Sequence, residues 1–168
     1  MSVSLYSASA PVFIRMLKSL SHILDKAEAD AAARKIAPEV FLTARLAPDM
    51  FALTRQIQIA TDHAKGAMAR LSGRETPRFE DTESTFAELQ ARIAKTIAFV
   101  ESVRPEELAG QDGRAITIKL PRETIDFVGE DYLLHFALPN FYFHLTAAYA
   151  IFRHLGVPVG KGDYLWRG

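Results

Sequence analysis

Apolar residues recur at helical spacing in four stretches of the chain. Phe13, Met16, Leu17, Leu20, Ile23, Leu24 and Ala27 form one stripe, which predicts a first helix from about Pro11 to Arg34, with Ser9 as N-cap and Pro11 in the first turn. A connector follows, with a short helical turn around Glu39–Thr43. Met50, Leu53, Ile57, Ala60, Ala64, Ala67 and Leu71 define a second helix, beginning near Pro48 and closed by Gly73 as C′ residue. Its many alanines imply close approach by a neighbouring helix. Phe86, Leu89, Ile93, Ile97 and Val100 define a third, capped by the Thr85–Glu88 spacing of a capping box and ending before Pro105. The link from the second helix is short enough to make these two antiparallel neighbours.

The period then changes. In Ala115–Leu120, Ile116, Ile118 and Leu120 alternate with Thr117 and Lys119, and Thr124–Val128 is a second β-branched run bounded by Pro121 and Gly129. Two short strands so close in sequence predict a small hairpin, which must lie against the helices because a lone hairpin is marginal in water. A short helix is expected over Glu130–Ala137. Pro139 interrupts it, Asn140 caps, and a last helix runs to about Leu155 with Phe141, His144, Leu145, Ala148, Ile151, Phe152 and Leu155 on one broad face. Gly156 ends it, and a loop-like tail follows. The expectation is an all-α, four-helix bundle with a small β-hairpin insertion before the last helix, spanning residues 1–168 as one domain.

Composition narrows the function classes. At 168 residues, with 49% hydrophobic and 24% charged side chains, the chain can bury a core without disulfides or a structural metal. It has no cysteine, which removes thiolate zinc sites and a cysteine nucleophile. Lys plus Arg equals Asp plus Glu at 20 each, so there is no overall basic footprint for a nucleic-acid partner. Arg15 and Lys18 interrupt the first apolar run, and no stretch reaches the length of a membrane span. A cytoplasmic location without a membrane partner is the expectation. No dinucleotide fingerprint, P-loop, nucleophile elbow or H-E-x-x-H motif occurs.

Of the five histidines, His22 falls off its stripe and is expected to face solvent, His154 sits in the last turn of the final helix, and His135 lies in a junction. His63 flanks the stripe of the second helix, and His144 is in register with the core face of the last one. An inward imidazole is either a buried histidine with hydrogen-bonded partners or a metal ligand or general base. The residues four beyond each are Ala67 and Ala148, so each helix offers one histidine. Gln56 and Tyr149 are the nearest polar candidates for the lining of a pocket between the two helices. Arg45 and Asp49, four apart at the start of the second helix, are read as an ion pair or cap that pins the connector, or as an anion-binding mouth. The rings of Phe141, Tyr142 and Phe143 spread over a wide arc, suited to core packing and to subunit contact. The tail around Lys161–Tyr164 packs across a bundle end or closes over a pocket.

Several segments together carry a resemblance: Arg45-Leu46-Ala47-Pro48-Asp49-Met50, Asp62-His63-Ala64-Lys65, Pro139-Asn140-Phe141-Tyr142-Phe143-His144, Arg153-His154-Leu155-Gly156-Val157 and Gly160-Lys161-Gly162-Asp163-Tyr164-Leu165. They resemble a family of uncharacterised bacterial proteins grouped with the DinB/YfiT-like helical bundles, over essentially the whole chain. The resemblance implies a four-helix bundle, often a homodimer, in a superfamily of metal-dependent enzymes that includes thiol-dependent transferases and isomerases. Their site takes one histidine from the second helix and two from the last, at i and i+4. His63 and His144 match the first two positions, as ligands for a divalent ion such as zinc or nickel, and Ala148 stands at the third. Two functions follow: a dimeric protein that binds a small molecule or a partner at a degenerate metal site, or a metal-dependent transferase or hydrolase using His63 and His144.

Overall fold

In a computed structural model, residues 3–165 are described. The four long helices are α1 (Leu5–Ala33), α3 (Leu53–Ser72), α4 (Phe86–Ser102) and α7 (Leu138–His154). Short helices α2 (Pro38–Leu42), α5 (Pro105–Leu108), α6 (Gly129–Asp131) and α8 (Lys161–Tyr164) lie between or after them, and strands β1 (Ala115–Lys119) and β2 (Thr124–Val128) form the hairpin before the last helix. The bundle is therefore the expected one. The central α3 packs against both α7 and α4, while α1 closes the far side against α4. All four predicted stripes feed one core, with Phe13, Leu17, Leu24, Ile57, Ala60, Ala64, Leu89, Phe141 and Ile151 at 0–1% exposure. Across it, Phe13 and Phe141 meet edge to face, with ring centroids 4.9 Å apart.

Two helix starts differ from the sequence reading. α1 begins at Leu5 because Ser4 and Ser7 form a reciprocal capping box, so Pro11 lies inside the helix and Ser9 is a buried residue whose hydroxyl donates to Leu5 O at 2.6 Å. α3 begins at Leu53, not Pro48. Residues 44–52 form an irregular connector held by Leu53 N–H to Ala44 O (2.9 Å) and by Thr54 Oγ1 to Leu42 O (3.0 Å), bonds that compete with an earlier helical start. The other boundaries follow their caps. Thr85 and Glu88 form the capping box of α4, and Gly73 ends α3 in the left-handed region at φ 75°.

The hairpin is antiparallel, pairing Ala115 with Val128 through Lys119 with Thr124. It leans on the bundle as required: Ile116 and Ile118 are buried, and the Phe127 ring packs on Tyr132 and Phe136.

Pro139 does not interrupt the last helix. The chain runs from α6 through a π-helical segment, Tyr132–Ala137, directly into α7. Leu138 N–H reaches back five residues to Leu133 O. The wider turn accommodates a proline ring that would crowd the carbonyl four residues earlier in a regular helix. Asn140 is not a cap: its side-chain amide donates to Phe136 O at 2.7 Å, satisfying a carbonyl next to the widened turn.

The tail packs across α1 and α7. Asp163 accepts from Lys26 at 2.9 Å and lies 3.2 Å from His22, while Tyr164 and Thr146 share a hydroxyl hydrogen bond of 2.9 Å. His22 is thus half-buried against the tail rather than turned to open solvent. The Lys26 ammonium, the Gly160 N–H and His22 hold the Asp163 carboxyl down at about 2. No helix among the described residues is long and apolar enough to cross a membrane.

Candidate functional site at the seam of α3 and α7

α3 and α7 bring His63 and His144 together. Their rings are nearly parallel, 14° apart, with centroids separated by 5.9 Å. Two aromatic contacts frame them: Phe136 from the π-helical segment meets His63 at 6.0 Å, and Phe143, itself 59% exposed, stands edge-on to His144 at 5.1 Å. The widened turn thus supplies one wall, and the first turns of α7 another.

Hydrogen bonding fixes the state of His144. Gln56 uses its amide N–H to reach Phe51 O at 3.1 Å, which leaves its carbonyl oxygen facing His144 Nδ1 at 2.7 Å. An amide oxygen only accepts, so Nδ1 carries the proton and Nε2 the lone pair. Among the described residues Nε2 has no protein partner, and neither does either ring nitrogen of His63. No buried side-chain nitrogen or oxygen among the described residues lacks a partner, so these three atoms reach solvent. Both imidazoles are held neutral. Burial, the neighbouring His144 and the Arg70 guanidinium push His63 down to about 4 against the opposing pull of Asp62. Burial and then Arg55 lower His144.

The other predicted lining residues divide. Gln56 is in the site. Ala148 is fully buried one turn beyond His144 and offers only a methyl group. Tyr149 is not with the imidazoles; its ring packs on Tyr164 of the tail, 5.5 Å away, because five helical residues turn it to another face of α7. Arg45 and Asp49 are exposed in the irregular connector and do not pair with each other; Arg45 donates instead to Pro48 O at 3.5 Å. Their four-residue spacing pairs side chains only on a helix, and the helix starts after both.

The donor set does not suit a divalent ion held by protein ligands. Among the described residues no group of three or more histidine, aspartate or glutamate side chains converges on one point. Two imidazoles with a methyl at the third position leave a zinc-like ion one ligand short of the usual three.

The sequence reading missed a second polar cluster on the opposite flank of α3. Arg92 of α4 is 3% exposed, and its guanidinium donates to Thr61 (2.7 Å), Asp62 (2.8 Å), Glu83 (2.9 Å) and Glu80 O (3.1 Å), with Asp81 at 3.1 Å. Lys65, 5% exposed, bonds Asp62 at 2.8 Å and lies 3.9 Å from the Phe79 ring. Burial alone would weaken the Arg92 charge, but Glu83, Asp62 and Asp81 raise its hold on the proton. The signal was present: Arg92 and Thr96 occupy stripe positions between Leu89 and Val100.

A DinB-type bundle with a histidine-bearing seam is the class these features define. The chain belongs to the family described as "Domain of unknown function (DUF1993)", whose model matches residues 5–165. It is also similar to a crystal structure of a DinB family member protein from Shewanella denitrificans, with 43% identity, a TM-score of 0.88, and coverage of 98% of this chain and 93% of that one. No curated protein matches it.

Proposed function

We propose that this DinB-like protein binds a small organic molecule at the seam of α3 and α7, through imidazoles that have kept their place in the bundle without a complete metal triad. The observation that carries this reading is the tautomer of His144. Its Nδ1–H is committed to Gln56, so Nε2 presents a lone pair at a solvent-reaching position beside a second neutral imidazole, among aromatic walls. Such a site suits a compact apolar ligand carrying one hydroxyl, thiol or amide donor. The protein acts as a homodimer in this reading, supported by the exposed rings of Phe143 and Tyr142 on α7.

One observation favours a second reading, a metal-dependent enzyme. A metal-bound histidine commonly donates its other ring N–H to a fixed acceptor, as His144 does to Gln56. Metal analysis of protein purified without a histidine tag separates the two. The binding reading expects metal-free protein whose melting temperature ignores added zinc, nickel and manganese, and whose His63 and His144 ring resonances move together in a fragment titration. Stoichiometric metal, lost in both His63→Ala and His144→Ala, would favour the enzyme instead. Light scattering that gives a monomer mass at high concentration would remove the dimer.

A further inference from the structure

At the C-terminal end of α3 three arginines converge on a cavity of about 250 Å³, whose remaining wall is Gly73 and the strand residues Ala115–Thr117. Arg74 is already neutralised, gripping Glu107 through two hydrogen bonds of 2.7 Å and donating to Ser102. Arg70 and Arg114 are different. Each is half-buried, and among the described residues neither has a carboxylate within ion-pair distance. Arg70 donates to the Tyr132 hydroxyl at 3.2 Å, and Arg114 to the Gln111 side-chain oxygen at 3.1 Å. No acidic side chain lines the cavity.

Two glycines make this arrangement fit. A Cβ on Gly66 would collide with Arg70 Nη1, and one on Gly73 would stand 2.5 Å from Arg114 Nη2. Gly73 is also required by its positive φ, as the helix terminator. Gly66 has no such excuse. It is buried in the interior of α3, where glycine is a far poorer helix former than alanine. Its bare Cα is what lets the Arg70 guanidinium lie against the helix and reach Tyr132.

We propose that this cavity is a binding site for a phosphate dianion, either free phosphate or the head of a small phosphomonoester. Two guanidiniums without carboxylate partners match two negative charges, and their planar forks match phosphate oxygens. The volume falls below the usual range for drug-sized ligands, about 300–1,000 Å³, which suits a phosphate group with a short substituent and not a nucleotide. Arg70 also lowers the neighbouring His63, but the phosphate is held by the arginines alone and needs no ligand at the histidine pair.

The test is calorimetric titration of the full chain with inorganic phosphate and with glycerol phosphate, at low ionic strength, against a chloride control. Saturable one-to-one binding is expected in the native protein, at least tenfold weaker in Arg114→Gln and in Gly66→Ala. Gly66→Ala is the discriminating variant. Alanine favours the helix while the displaced Arg70 gives up its bond to the Tyr132 hydroxyl, two opposing effects that should leave the melting temperature little changed while phosphate binding falls. Tighter binding of glycerol phosphate assigns the site to a phosphomonoester, and tighter binding of inorganic phosphate to the free ion. Absence of saturable binding of either in the native protein would overturn the proposal, as would native-like binding by both variants.

Discussion

Toward α4, α3 sets Thr61, Asp62 and Lys65 against Arg92, and every buried charge meets an opposite one. Toward α7 it sets Gln56 and His63 against His144, where the groups are neutral and three ring nitrogens have no protein partner among the described residues. The two flanks belong to one helix and are built from similarly polar residue types. They differ in satisfaction. A fully paired ionic cluster is finished, and its role is to hold the loop over residues 80–83 onto the bundle. A seam with solvent-reaching lone pairs leaves hydrogen-bonding capacity for something outside the chain. Polar residues therefore mark a binding region less by their number than by the bonds they have left to make.

The largest effect expected is on the finished side. Arg92→Met removes one partner of a cluster that leaves Asp62, Asp81 and Glu83 without their shared cation, a change of about 3 kcal/mol in unfolding free energy. Urea denaturation at neutral pH measures it, and a loss near zero would erase the contrast between the flanks.

Acid should act next, and on the unfinished side. His63 is held at about 4 when folded, against an ordinary value of 6.5. Unfolding at pH 5 therefore takes up a proton that the folded protein refuses. The stability from this group is whole above pH 6.5 and declines as pH falls toward 4, by about 2 kcal/mol between pH 7 and 5. His144 is lowered too and acts in the same direction. From pH 7 to 5 the denaturation midpoint of the native protein should fall more steeply than that of His63→Phe. Parallel curves would show that the imidazole is not held neutral.

Gln56→Leu gives the smallest change, about 1 kcal/mol, because it strands one ring N–H and the carbonyl of Phe51. Its sharper readout is nitrogen NMR of the imidazole, in which His144 should lose its fixed Nδ1–H tautomer. An unchanged tautomer would mean that Gln56 does not set it.

Much of this architecture was legible in the sequence. Apolar stripes and side-chain caps act locally, so Thr85 with Glu88, Gly73 and the Ile116–Ile118 alternation announced their elements. The approach of His63 to His144 was legible as well, since His63 flanks its stripe and His144 sits in register with the core face of the last helix. What failed depended on competition between neighbours. Pro11 looked like a first-turn residue until the Ser4–Ser7 box claimed the start, and Pro48 with Asp49 looked like a helix start until the connector's own hydrogen bonds displaced it. Pro139 looked like a break because a wider turn leaves no mark in hydrophobic period. Arg92 went unnoticed because three of its partners, Glu80, Asp81 and Glu83, come from a loop with no period at all.

That wider turn has a consequence for how the chain tolerates change. A helix is a screw, and the segment over Tyr132–Ala137 is a stretch where the thread runs coarse. Deleting a single residue there would restore the standard pitch and swing everything upstream by about 100° relative to His144. Phe136 would leave His63, Tyr132 would leave Arg70, and the hairpin would lose its seat together with them. One surplus residue thus keeps the upstream rings and the last helix in phase with α3.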